Sequence, residues 1–128
     1  MSKQVIKTAK ASTSQLYSQA IKANGFIFLS GQVAIDPATG KLIEGGVEEE
    51  FHRVFNNIET ILEAADAKLN HIIRVEIYLK DIADYSVVNK LYLERINFDP
   101  KPVRHAMQVG SLPLNAKIEV TITAVEKL

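Results

Sequence analysis

Between Val47 and Ala65 the apolar residues fall at positions 47, 51, 54, 55, 58, 61, 62 and 65, with polar residues filling the gaps. That spacing predicts one amphipathic helix. Shortly after it the period drops to two, as Ile73, Val75, Ile77 and Leu79 alternate with Arg74, Glu76, Tyr78 and Lys80. This alternation predicts a half-buried strand. A helix with one apolar stripe and a strand with one apolar face must bury those surfaces against each other. The chain is thereby committed to helices laid on a sheet.

The flanking segments complete the pattern. Asn24-Gly25, between residues 18–23 and 26–29, marks a tight hairpin because both turn positions need positive φ. Asp36-Pro37-Ala38-Thr39-Gly40 predicts a second turn, and a short strand is expected near Gln4–Thr8. Asp84 is the expected N-cap of a second helix running to about Arg95, with Val88, Leu91 and Tyr92 facing inward. Asp99-Pro100-Lys101-Pro102 closes that segment. His105, Met107 and Val109 then alternate with Arg104, Ala106 and Gln108, and Ile118, Val120, Ile122 and Ala124 with Glu119, Thr121 and Thr123.

The order β-β-β-α-β-α-β-β belongs to the α+β class. Two helices cover only one face of a sheet of five or six mostly antiparallel strands. On this phase the other face carries Arg74, Glu76, Tyr78, Arg104, Gln108, Glu119, Thr121 and Thr123. Those side chains are short or stiff and poor in lysine for a plain solvent face, so a second copy of the chain is expected against it.

A length of 128 residues predicts a single domain, 1–128, able to bury a sizeable core. Lys+Arg 15 balances Asp+Glu 15, and no basic run appears, so nucleic acid is not an expected partner. The one charge run, Glu48-Glu49-Glu50, lies where the first helix begins and suits its dipole. The chain has no cysteine, which excludes disulfides, thiolate metal sites and a cysteine nucleophile and fits a reducing compartment. No signal segment or membrane-spanning run is read from the sequence, and a cytoplasmic location is expected.

Arg104 and Glu119 stand out as an arginine able to hold a carboxylate through two parallel hydrogen bonds and a glutamate able to move a proton. The alternative is that the two simply pair across a hairpin. Ser30-Gly31-Gln32 follows the apolar strand 26–29, where glycine lets the backbone approach a ligand or merely makes a turn. Tyr17 is a packing residue or a ligand contact, and Asn89 a helix polar residue that bridges a loop or touches a ligand. His52, His71 and His105 have no metal-ligand spacing, and no metal site is indicated.

Taken together these residues resemble the RidA family, also called YjgF. The resemblance runs through Tyr17 and Gln19, Ser30-Gly31-Gln32, Asp36-Pro37, Thr39-Gly40, Asn57, residues 75–81 (VEIYLKD), Val88-Asn89 and Tyr92. It continues in Pro102-x-Arg104, Leu112-Pro113 and Lys117-Ile118-Glu119, and so spans essentially the whole chain. It implies a chorismate-mutase-like α+β fold, a homotrimer with ligand clefts between subunits, and no cofactor. The implied activity is that of a 2-iminobutanoate/2-iminopropanoate deaminase, which hydrolyses reactive imines and enamines such as 2-aminoacrylate to 2-keto acids and ammonia, a form of metabolite damage control.

On that resemblance Arg104 holds the substrate carboxylate and Glu119 handles the proton. Ser30 and Gly31 supply backbone groups, Tyr17 closes the cleft, Asn89 supports it, and Ala106 lines it. Three positions depart from the family pattern. Ala106 stands where a cysteine is frequent, Ser14-Gln15-Leu16-Tyr17 replaces a common Gly-Pro-Tyr, and His105 replaces a smaller residue. A non-catalytic trimer that binds small carboxylates and regulates a partner enzyme is the alternative reading. Ribonuclease activity, reported for some relatives, is disfavoured by the neutral charge.

Overall fold

A computed structural model describes residues 2–128. The strands are β1 (Gln4–Ile6), β2 (Ala20–Ala23), β3 (Phe26–Leu29), β4 (Ile35–Asp36), β5 (Lys41–Leu42), β6 (Ile72–Leu79), β7 (Val103–Gln108) and β8 (Ile118–Val125). The helices are α1 (Val47–Ala64) and α2 (Tyr85–Arg95). Six strands form one sheet in the order β1-β2-β3-β8-β6-β7, and β4 pairs with β5 as a small separate ribbon. Every pairing in the large sheet is antiparallel except β6 with β7, which α2 joins as a parallel crossover. The α+β expectation is met.

Local chemistry explains the ends of these elements. Asn24 and Gly25 take φ of 51° and 84° and turn β2 into β3. Asp36 Oδ1 accepts from the Ala38 amide at 2.9 Å, and Gly40 adopts φ 72° to bring β5 back on β4. Helix α1 begins with Glu49 Oε1 accepting from the Gly46 amide at 2.6 Å. The neighbouring Glu50 is fully buried, and its Oε1 accepts from the Lys117 amide at 2.8 Å while Lys117 Nζ lies 3.4 Å from Oε2. The acidic run is thus more than a dipole partner, since Glu50 ties the start of α1 to the start of β8.

The core lies between the helices and one face of the sheet. Phe51, Val54, Phe55, Ile58, Ile61 and Leu62 of α1 are fully buried against Ile27, Val75, Ile77, Leu79, Ile118, Val120 and Ala124. Phe51 and Phe55 stack with ring centroids 4.6 Å apart. Val88, Leu91 and Tyr92 of α2 join them, as the spacing predicts.

Three local expectations are corrected. The Asp84 side chain makes no capping bond; Asp81 Oδ1 instead accepts from the Ala83 amide at 2.9 Å, capping a short 3-10 turn that leads into α2. A register shift between Ile72 and Arg74 turns Ile73 outward, and Ile72 takes the buried place.

The third correction concerns the phase of β7. Arg104 sits opposite Val75 and Ala106 opposite Ile77, so both face the helices, whereas His105 and Met107 sit opposite Glu76 and Tyr78 on the open face. The sequence assigned the phase from apolar residues, and Met107 pulled it the wrong way. As the edge strand, β7 lacks the full helix cover that would force its apolar residues inward. Gln108 likewise turns to the helix side, where its Oε1 accepts from the Ile82 amide at 2.9 Å.

The open face is accordingly more apolar than the sequence suggested. Val5, Phe28 and Met107 are 58%, 47% and 44% exposed there, beside Arg74, Glu76, Tyr78, His105, Glu119, Thr121 and Thr123.

Candidate functional site

The candidate residues fall into two groups on opposite faces of the sheet. The first gathers on the helix side around Arg104. Its guanidinium carbon lies 4.7 Å from the ring centroid of Tyr92 and 5.8 Å from that of Tyr85, and Nη2 donates to the Tyr85 hydroxyl at 3.2 Å. Residues 85, 89 and 92 follow the i, i+4, i+7 spacing of one helix face, which places Asn89 between the two tyrosines. Asn89 Oδ1 and the Tyr92 hydroxyl are buried without a hydrogen-bond partner among the described residues. Burial raises the Tyr92 pKa above the usual phenol value, against the lowering effect of the Arg104 charge.

Among the described residues no carboxylate forms an ion pair with Arg104. A guanidinium flanked by aromatic rings and unpaired polar atoms is a receptor for a planar anion such as a carboxylate. Ala106, next along this side of β7, packs against the core and leaves the floor beside Arg104 small.

The second group gathers around Glu119. Mutual hydrogen bonds between Gln32 and Val120, at 2.8 and 3.0 Å, pin the chain after β3 against β8. Gly31 thereby lies on the Glu119 carboxylate. A Cβ there would stand 2.7 Å from Glu119 Oε2 and 3.1 Å from Thr121 Oγ1, so only glycine fits without displacement. Burial raises the Glu119 pKa above the usual carboxyl value. Tyr78, its cross-strand neighbour, has its own pKa raised by burial, by the charge of Glu76 and the hydrogen bond to it, and by Glu119.

Ser30 joins this group to the segment before β2. Its Oγ donates to the Ser18 carbonyl at 2.6 Å and its amide to the Gln19 carbonyl at 3.0 Å. Gln19 is buried and holds the preceding loop through four hydrogen bonds. Its Oε1 accepts from the Thr8 amide, and its Nε2 donates to the carbonyls of Thr8, Ala11 and Ser12. The loop so held presents Leu16 and Tyr17, 90% and 60% exposed.

One chain does not bring these groups together. Arg104 on β7 and Glu119 on β8 are separated by β6 and point to opposite faces, which excludes pairing across a hairpin. Their backbones are about 10 Å apart across the sheet and about 10 Å along it. Tyr17 precedes β2, toward the far edge from β7. A depression of about 930 Å³ lies between the C-terminal ends of the helices near Glu63, Leu69 and Phe98 and includes none of these residues.

Sequence reasoning missed Tyr85 and Thr121. The Tyr85–Asn89–Tyr92 spacing on one predicted helix was the available signal for Tyr85. For Thr121 the signal was its place two residues from Glu119 on the same strand face.

A layer of two helices on a six-stranded sheet, with a guanidinium free of ion pairs among the described residues on one side and the half-buried Glu119 on the other, defines the class of chain. Residues 7–126 match the family described as Endoribonuclease L-PSP. This chain belongs to that family, also called RidA or YjgF.

It is 44% identical over 125 residues to a RutC family protein of Pyrococcus abyssi, covering 97% of this chain and 98% of the relative. The human 2-iminobutanoate/2-iminopropanoate deaminase is 37% identical over 127 residues, covering 97% of this chain and 90% of that protein. The chloroplastic Reactive Intermediate Deaminase A of Arabidopsis thaliana is 42% identical over 123 residues, covering 95% and 65%. A solved Rid-family protein from Yersinia pestis superposes with a TM-score of 0.94 at 34% identity, covering 97% of this chain and 99% of that one. No helix among the described residues is long and apolar enough to cross a membrane.

Proposed function

We propose that this chain is a 2-imino/2-enamino acid deaminase working as a homotrimer, with clefts where the Arg104 group of one copy meets the Glu119 group of the next. The observation that carries the reading is Arg104 itself, a partly sheltered cation with no carboxylate ion-paired to it among the described residues. The opposed faces of Arg104 and Glu119 call for a second subunit, and the apolar share of the open face suits burial against one. The deaminase names of the human and Arabidopsis relatives support the same chemistry. A cytoplasmic location and the substrates 2-iminobutanoate and 2-aminoacrylate belong to this proposal.

In this reading Arg104 grips the carboxylate and leaves the C=N carbon facing Glu119. On the protonated imine, Glu119 takes a proton from water as the water oxygen bonds to that carbon and the C=N π pair moves to nitrogen, giving a neutral carbinolamine. It returns the proton to nitrogen, and the C–N bond breaks with its electron pair on ammonia. The last O–H proton passes to the Glu119 carboxylate and on to solvent as the keto C=O forms. A carboxyl held above its usual pKa is better matched to both proton transfers near neutral pH. The backbone at Ser30 and Gly31 holds the water or the imine nitrogen, Asn89 and Ala106 shape the carboxylate end, and Tyr17 closes the cleft.

The test is the disappearance of 2-iminobutanoate generated in situ by threonine dehydratase. Wild type should accelerate keto-acid release, while Arg104→Ala and Glu119→Gln should not. No acceleration by wild type, with carboxylate binding retained, would leave the non-catalytic binding role in its place.

A further inference from the structure

Tyr85 has a place beside Arg104 that the proposed reaction does not use. It is the first residue of α2, 38% exposed, and among the described residues its hydroxyl makes one side-chain hydrogen bond, to Arg104 Nη2 at 3.2 Å. An arginine on an edge strand carries several rotatable bonds, and a guanidinium free to swing pays an ordering cost whenever it grips a ligand. Here two contacts of different kinds restrain it. The Tyr92 ring, 4.7 Å away, sets its tilt, and the Tyr85 hydroxyl, by taking one edge hydrogen, sets its rotation in plane. Five N–H donors in a fixed fork leave enough for a bidentate carboxylate after one is engaged.

We infer that Tyr85 is a positioning residue. It presets the Arg104 fork for the substrate carboxylate, and the hydroxyl rather than the ring carries this role. The inference rests on the deaminase reading and deepens it. Preorganisation of a group that holds the carboxylate equally in ground and transition states is felt in KM, with kcat little changed. A merely structural tyrosine would lower stability and leave that split untouched.

The experiment compares wild type, Tyr85→Phe and Tyr85→Leu in three ways. These are steady-state kinetics on 2-iminobutanoate, the dissociation constant for 2-oxobutanoate, and ¹⁵N relaxation of the Arg104 guanidinium. Tyr85→Phe keeps the ring, so it should melt like wild type, raise KM and the dissociation constant about tenfold, and leave kcat within about twofold. Its guanidinium should rotate faster about the Nε–Cζ bond than in wild type. Tyr85→Leu, which also lacks the hydroxyl, should show the same pattern to the same extent.

Unchanged guanidinium rotation and unchanged 2-oxobutanoate binding in Tyr85→Phe would overturn the inference, whatever the turnover. If wild type has no deaminase activity but Tyr85→Phe still frees the guanidinium and weakens 2-oxobutanoate binding, the positioning role stands and the deaminase reading falls.

Discussion

Arg104 and Glu119 lie on strands separated only by β6, yet their side chains leave the sheet in opposite directions. A reaction needing both therefore needs two copies of the chain. On the proposed homotrimer, Arg104→Ala and Glu119→Gln should each be inactive. When the two variants are unfolded, mixed in equal amounts and refolded, about a quarter of the clefts pair an intact arginine with an intact glutamate. Turnover should recover to about a quarter of wild type. Recovery of nothing, or a solution mass of one chain, would show that no cleft is shared.

Burial raises the Glu119 pKa in the folded chain, which fixes the sign of its pH effects. Between the unfolded and folded values the native state holds the extra proton, so this group's contribution to stability falls as pH rises through that window. Above both values the penalty for burying the charge is constant. Glu119→Gln should therefore melt at or above the wild-type temperature at neutral pH and lose that advantage in acid. Turnover in wild type should fail on the acid side at a higher pH than an ordinary glutamate would give. Calorimetry and a pH–rate profile check the two halves.

Gly31→Ala places a methyl group 2.7 Å from Glu119 Oε2, closer than a contact allows. The carboxylate is the flexible partner and will move. We expect a stability loss below about 1 kcal/mol, at the low end for overpacking, with turnover reduced about tenfold or more. Thermal melts and kcat measured on one preparation separate the two effects; full turnover would mean that the position of the carboxylate is unimportant.

Glu50 bridges α1 and β8 from a fully buried position. Glu50→Ala removes the acceptor for the Lys117 amide and leaves a void, at a cost of about 2–4 kcal/mol. Glu50→Gln keeps one acceptor oxygen and should lose less. Urea denaturation of both variants tests the order, and equal losses would show that the carboxylate charge facing Lys117, which both variants remove, outweighs the void and the amide hydrogen bond.

Much of this was legible in the sequence. The 3.6-residue spacing of α1, the alternation of β6 and β8 and the Asn24-Gly25 turn each appear where the residues place them. The phase of β7 was not legible. Alternation says that neighbours face opposite ways but not which way, and an edge strand has too little cover for burial to decide. The shared face of Arg104 and Glu119 was lost with that phase. The Tyr85–Arg104 contact depends on how α2 crosses back over β7, which no local pattern encodes. The Gly31–Glu119 contact likewise depends on the Gln32–Val120 bridge, which joins residues far apart in the chain.

Three of the four bonds made by Gln19 end on main-chain carbonyls, and the fourth begins at a main-chain amide. Every residue type offers a carbonyl, so Gln19 anchors the stretch from Thr8 to Ser12 without regard to the side chains that stretch carries. Such a loop is free to be rewritten. The Ser14-Gln15-Leu16-Tyr17 sequence can stand in place of Gly-Pro-Tyr while the stretch before it stays on the same mooring.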